Sequence, residues 1–339
     1  DQLGARLVII FDELLDAWCQ SDIPLPCFFP YTTSLEFIPE VVVKTFYDML
    51  LSQDTIVLRA MLHHEVFPVD PVELGLVKNL FTIFASKGKV HRLISSIVAV
   101  EFSHPGDINE TMVLRGNSHL TDLFKLFAIK YGQEYFQKVI KPVIDEVVKR
   151  GNVNITPPSD PSQYQAAQER VKEILYFGID KVLQSSQYIP QQFRHIASIL
   201  KICTSLTLRS KHAVFNALSS FMFLRFFTPA IVTPDKVSQG EKPAANASVT
   251  TVPYSKLIQL PFNLQQIPID KYPHLKKLNE DIFLKYADIF NFAMDVAEYD
   301  QPAKYEQTTE EEALKATHKL ITTISKEKSQ RNTFIRRIK

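Results

Sequence analysis

The chain is poor in glycine, with nine residues in 339, and it holds a single tryptophan and three cysteines. So little glycine leaves few of the tight turns that hairpin-rich folds use, and no stretch reads as a hairpin or a βαβ unit. Cys19, Cys27 and Cys203 are too few and too scattered for a disulfide framework or a zinc site. Charge of neither sign predominates, 38 Lys and Arg standing against 37 Asp and Glu. That balance gives no support for nucleic acid or an anionic membrane as the principal ligand, so any membrane contact is expected to be indirect. No uninterrupted apolar run is long enough to span a bilayer and no secretory signal is present. A cytoplasmic protein, or the cytoplasmic part of one, is therefore expected. The chain opens at Asp1 without a methionine and is expected to be a piece of something larger.

What the chain has in quantity is apolar residues at helical spacing. Hydrophobic residues make up 45% and charged residues 22%, which suits a protein that buries a substantial core. Its length allows two domains, or one long helical domain with an appendage. The apolar spacing predicts an all-α fold. Leu120, Leu123, Phe124, Phe127 and Tyr131 share one face of a helix that opens at Asn117 or Ser118 and closes at Gly132. Further helices are predicted over about 171–183 and 193–206, and over about 2–18 and 36–62 in an N-terminal part punctuated by Pro24–Pro30 and Pro68–Pro71. Thr309 and Glu312 form a capping box ahead of a helix with Leu314, Ile321 and Ile324 on its face. Residues 152–162 are proline-rich and predict a loop. Residues 235–253, with Gly240, Pro243 and Pro253, predict a mobile connection.

Three blocks carry chemistry. In Val113-Leu114-Arg115-Gly116-Asn117-Ser118 an arginine follows the loop signal His104-Pro105-Gly106-Asp107 and precedes a helix. Gly116 permits a backbone turn that a side chain would hinder, so Arg115 can be held out on a loop tip. The plain structural alternative is a solvated arginine ahead of a helix cap. In Phe221-Met222-Phe223-Leu224-Arg225-Phe226-Phe227-Thr228-Pro229-Ala230-Ile231-Val232 one arginine sits inside an almost wholly apolar run. Such a run belongs in a core, and burying an unpaired guanidinium costs several kcal/mol, so Arg225 requires a carboxylate or backbone carbonyls as partners. Pro229 ends or kinks the helix soon afterwards. In the third block Lys256, Gln259 and Asn263 fall on one side of a helix as a polar stripe, which by default is a solvated face.

Together and in this order the three blocks resemble the Ras GTPase-activating protein family and are neurofibromin-like in their motifs. The family's finger loop reads Phe-Arg-Gly-Asn-Ser, and residues 114–118 match with Leu114 in place of Phe. Its long signature reads Phe-Leu-Arg-Phe-x-Asn-Pro-Ala-Ile-Val, matched by residues 223–232 with Thr228 in place of Asn. Its third block reads Lys-x-x-Gln-x-x-x-Asn, reproduced by Lys256, Gln259 and Asn263, with Pro261 set between the last two. The resemblance implies an elongated all-helical domain. Its central catalytic subdomain would span 74–296, with 1–73 and 297–339 as a flanking extra helical subdomain.

It implies that Arg115 is an arginine finger for a GTP-bound Ras-family small GTPase, Ras or Rap, and that Arg225 stabilises the finger loop. Leu114, Gly116, Asn117, Leu224, Lys256, Gln259 and Asn263 would contact the GTPase, while Thr228 and Pro229 would be structural. The resemblance implies no cofactor of the chain's own, since GTP and Mg²⁺ belong to the partner. It also implies work at the inner face of a membrane. The same motifs leave open a related module that grips a GTP-loaded GTPase without stimulating it, and an activator of Rap rather than Ras.

Overall fold

The computed structural model describes residues 38, 40–53, 55–69, 73–103, 114–150, 157–233, 247–299, 302–326, 333–334 and 336–337. Among them the chain is helical and contains no strand, as the apolar spacing predicts. In chain order the α-helices longer than three residues are α1 (Glu40–Leu50), α2 (Ile56–Met61), α3 (Gly75–Ala85), α4 (Val90–Glu101), α5 (His119–Tyr131), α6 (Lys141–Lys149) and α7 (Tyr164–Leu183). They continue with α8 (Gln191–Leu208), α9 (Lys211–Ser219), α10 (Thr228–Val232), α11 (Ala247–Phe262), α12 (Leu278–Val296) and α13 (Glu310–Lys326). The predicted helix over 2–18 and the Pro24–Pro30 segment lie outside the described residues. The chain forms two compact units, one of Asp1–Ser103, Asn117–Leu123 and Tyr305–Lys339, the other of His104–Gly116 and Phe124–Lys304.

In the first unit α13 packs against α3 and α1. The predicted capping box opens it. The Thr309 N–H donates to Glu312 Oε2 at 2.8 Å, and the Glu312 N–H donates to Thr309 Oγ1 at 3.2 Å. That Thr309 N–H, followed by the Thr309 hydroxyl, holds the Glu312 carboxyl below the usual carboxylate range. Ala313, Ala316, Leu320, Ile321 and Ile324 are buried. Leu314 is only half-buried, because the buried stripe centres one position earlier. The predicted helix over 36–62 is two helices, α1 and α2.

The second unit is built on aromatic side chains, and one long helical stretch is its axis. Helical conformation runs unbroken from Lys211 to Val232, as α9, a π-helical stretch over Ser220–Phe227, and α10. By length and mean hydropathy alone, 22 residues at 1.3, this stretch could cross a bilayer, but 72% of its most apolar window is buried inside the protein. It is a core helix. Phe221 lies 4.5 Å from Phe124 and 5.6 Å from Phe193, centroid to centroid, and Phe226 meets Phe193 edge-on at 4.8 Å. Phe223 stacks on Phe262 at 4.0 Å, and Phe227 approaches the same ring edge-on at 5.6 Å. Phe262 closes α11, so these two contacts bind α11 to the stretch that carries Arg225. Pairs of this kind each contribute about 0.5–1.5 kcal/mol beyond their buried area.

Two expectations need correction here. Residues 247–253 are not connection but the first turns of α11, with Pro253 inside the helix. Thr251, Tyr254, Ser255, Ile258 and Phe262 are buried at helical spacing, and that periodicity outweighs the polar composition. The carbonyl that Pro253 leaves without a helical donor belongs to Val249, which is 59% exposed and open to water. The second correction concerns Gly132, which follows α5 but is not a left-handed cap, since its φ is −81°. A β-carbon there would strike the Ala128 carbonyl and come within 2.7 Å of the Phe226 ring, so glycine is needed for close approach.

Gly178, inside α7, has the same role against α11. A β-carbon would fall on the Tyr254 hydroxyl and 2.7 Å from Ile258 Cδ1. Tyr254 is fully buried and its hydroxyl donates to the Ile174 carbonyl at 3.4 Å, so it cannot move aside cheaply. Glycine-to-alanine changes inside helices ordinarily stabilise by about 1 kcal/mol. Gly178→Ala is expected to do the opposite, by about 1–3 kcal/mol, through overpacking. Urea denaturation of the two proteins checks the sign, and a more stable variant would show that α7 and α11 do not meet at this residue.

Candidate functional site

The site is built around Arg225, which lies in the π-helical stretch and is half-buried. Its Nε and Nη2 donate to the Leu114 carbonyl at 3.3 and 3.2 Å, and Nη2 also donates to the Arg115 carbonyl at 2.6 Å and to the Gly116 carbonyl. Three consecutive main-chain acceptors thus converge on one guanidinium. The partners that the apolar run required are backbone carbonyls. Charge-assisted bonds of this kind contribute about 1.5–3 kcal/mol each when buried, and less for the two on the exposed side.

The loop these bonds hold is strained at its first residue. Leu114 has φ +58°, a left-handed conformation that glycine adopts freely and leucine does not. Its side chain is 5% exposed, so burial of the isobutyl group and the bonds to its carbonyl keep it there. The expected division of labour in the loop is therefore reversed. Gly116 does not carry the unusual backbone angle, and a β-carbon on it would meet none of the described residues within 4 Å. Past the loop, the Ser118 N–H donates to Thr121 Oγ1 at 2.9 Å and the Thr121 N–H donates back to Ser118 Oγ at 3.4 Å. Ser118 rather than Asn117 therefore caps α5.

The Arg115 side chain is exposed, and among the described residues it has no hydrogen-bond or ion-pair partner. Asn117 is exposed as well. Leu224 is half-buried in the π-helical stretch. Thr228 opens α10 with its Oγ1 enclosed and without a partner among the described residues, and Pro229 beside it is exposed. On α11, Lys256 is exposed and Gln259 is half-buried one turn later. Asn263 lies beyond the end of that helix rather than on it. The structure brings Arg225 directly onto the 114–116 loop and packs α11 against α10. Among the described residues it makes no hydrogen bond between the Lys256 or Gln259 side chain and the loop.

One residue that the motifs did not single out belongs here. Ser219 ends α9, is 1% exposed, and donates its hydroxyl to the Phe262 carbonyl at 2.7 Å. The same oxygen lies 3.0 Å from the Asn263 side-chain oxygen. The signal for it was weak: a serine among apolar residues just ahead of the arginine run. Because no described residue occupies the space over Gly116, Gly116→Ala is expected to leave stability within about 0.5 kcal/mol of the parent, slightly raised through the unfolded state. Thermal unfolding of the variant checks this. A drop of several degrees would show that the loop itself needs glycine.

Residues 153–260 match the RasGAP family model, described as GTPase-activator protein for Ras-like GTPase. The chain is 28% identical over 225 residues to Ras GTPase-activating protein gap-1 of Caenorhabditis elegans, covering 64% of this chain and 35% of that protein. It is 26% identical over 200 residues to inhibitory regulator protein BUD2/CLA2 of Saccharomyces cerevisiae, covering 53% of this chain and 17% of that one. To Ras GTPase-activating protein 2 of Mus musculus it is 28% identical over 162 residues, covering 46% and 18%. The chain spans about a third or less of the length of these relatives. The matched segment contains Arg225, Lys256 and Gln259, lies on an all-helical fold, and is what the chain shares with these GTPase-activating relatives.

Proposed function

We propose that this domain accelerates GTP hydrolysis on a GTP-loaded Ras-family small GTPase, Ras or Rap, by inserting Arg115 into the partner's nucleotide site. The observation that carries the reading is the guanidinium of Arg225 gripping the carbonyls of residues 114–116 while the exposed Arg115 side chain has no partner among the described residues. A loop built only for structure has no need to hold a cation outward at the cost of a left-handed leucine.

The physical role follows from phosphoryl transfer. As the γ-phosphoryl group leaves, negative charge grows on its oxygens and on the leaving oxygen, and a fixed cation in a site closed to water stabilises that charge. Ras and its activators set the scale, about 10⁵-fold, equivalent to roughly 7 kcal/mol of barrier. Arginine suits the task because its planar fork reaches two oxygens and stays charged, whereas lysine offers a single point charge. Arg225 contributes by holding the loop so that the finger is oriented before the partner arrives. Lys256, Gln259 and Asn263, with Leu114, Gly116, Asn117 and Leu224, form the surface that receives the GTPase in this reading. GTP and Mg²⁺ come with the partner. The setting is the cytoplasmic face of the membrane to which such GTPases are recruited.

Single-turnover hydrolysis by GTP-loaded Ras and Rap proteins, with the unmutated domain and with Arg115→Ala, tests the reading. Arg115→Ala is expected to lose about 10³-fold or more of the stimulated rate, with binding changed only a few-fold. Stimulation that survives in the variant would remove Arg115 from the chemistry. Binding of the loaded GTPase with no acceleration by either protein would leave a recognition module instead. Arg225→Ala is expected to lower kcat by about 10-fold or more and to lower the melting temperature, because both depend on the same bonds. Full activity with unchanged melting would contradict both roles.

A further inference from the structure

We propose that Ser219 is a positioning residue for GTPase recognition, acting through Asn263; the inference rests on the reading of this domain as a GTPase activator. Asn263 stands at the end of α11, where its backbone is already determined. Its N–H donates to the Gln259 and Leu260 carbonyls at 3.1 and 3.0 Å. The next residue, Leu264, is left-handed at φ +52°. The Leu264 N–H donates to the Pro261 carbonyl and the Gln265 N–H to the Leu260 carbonyl, both at 2.9 Å. These two bonds form the paired closure that ends helices at a left-handed residue, a position normally held by glycine. Phe262, one residue before Asn263, is locked between the rings of Phe223 and Phe227. What the backbone leaves open is the side-chain torsion of Asn263, and among the described residues its side chain meets Ser219.

Ser219 is suited to set that torsion. It is buried, and it sits on the same continuous helical stretch as Arg225, six residues before it. Its hydroxyl has one proton and two acceptors beside it, the Phe262 carbonyl at 2.7 Å and Asn263 Oδ1 at 3.0 Å. The proton goes to the nearer carbonyl. That leaves the inward-facing Asn263 Oδ1 without the serine's proton; with the amide turned over, its NH₂ group donates to the serine oxygen and the Asn263 carbonyl oxygen faces outward as an acceptor. A serine with no exposed surface of its own therefore decides which face of Asn263 a partner meets. The same helical stretch that fastens the arginine loop through Arg225 also aligns a recognition residue through Ser219, and the two tasks use different bonds.

That separation makes the proposal testable. Ser219→Ala is expected to raise KM for the GTP-loaded GTPase about three- to tenfold, the worth of one buried hydrogen bond, with kcat within twofold because the Arg225 bonds are untouched. In an Asn263→Ala background the same serine change is expected to raise KM no further, since the residue it acts through is gone. Ser219→Cys, similar in volume with a weaker donor, is expected to fall between serine and alanine, and it replaces the alanine variant if that one does not fold. An unchanged KM in a folded Ser219 variant overturns the proposal, as do equal KM increases in both backgrounds or a loss confined to kcat. Binding of the GTPase loaded with a non-hydrolysable GTP analogue gives the same comparison without turnover, so an unmutated domain that binds but does not stimulate sinks the activator reading alone. An unmutated domain that does not bind overturns both.

Discussion

A single guanidinium bonded to three successive carbonyls is the interaction on which the rest of the site depends. Backbone carbonyls at a loop tip ordinarily turn to water, and nothing in the apolar run around Arg225 would draw them inward without the charge. Arginine alone among side chains offers a planar set of donors that can meet several acceptors while remaining charged. The arrangement offsets two costs together. It gives a cation set in an apolar run three main-chain acceptors, and it holds Leu114 in a backbone conformation that leucine avoids by roughly 1 kcal/mol or more. Neither element is stable in this form without the other. The loop and the core helix are therefore a single structural feature written in two parts of the chain.

The π-helical stretch over Ser220–Phe227 is what lets that core helix serve both sides of its surroundings. Each π turn takes in one more residue than an α turn, so later side chains are rotated by about 100° relative to an unbroken α-helix. Phe221, Phe223, Phe226 and Phe227 are all buried, yet Phe221 and Phe226 face Phe193 while Phe223 and Phe227 face Phe262. A ring of aromatic contacts on both flanks fixes the rotation of the stretch, and with it the direction in which Arg225 leaves the core. Packing here sets aim as well as stability.

Much of this was legible from residue order. The apolar spacing of α5, α7, α8 and α13 marks real helices, the Thr309–Glu312 box closes as its spacing requires, and the arginine inside an apolar run does find partners. What stayed hidden has a common physical cause. Leu114 and Leu264 take left-handed conformations that residue type argues against, so neither the bend of the arginine loop nor the closure of α11 carried a local signal. At the start of α11 proline and polar residues signal a connection, and they mask a buried periodicity that tolerates Pro253 near solvent. The π register has no compositional mark at all. Ser219 was passed over because one buried hydroxyl among apolar residues is common, and only the position of the Phe262 carbonyl gives it meaning.

The acceptors that hold the arginine loop are present on every amino acid. Side chains at 114–116 could be exchanged widely without removing one of the three carbonyls, whereas Arg225 has no substitute with the same fork. Selection acting on this latch therefore falls on one of its two halves. A latch made of side chain against main chain leaves no paired changes between its halves. Covariation between positions, the usual trace of contact in a protein's history, would pass over the contact that organises this site.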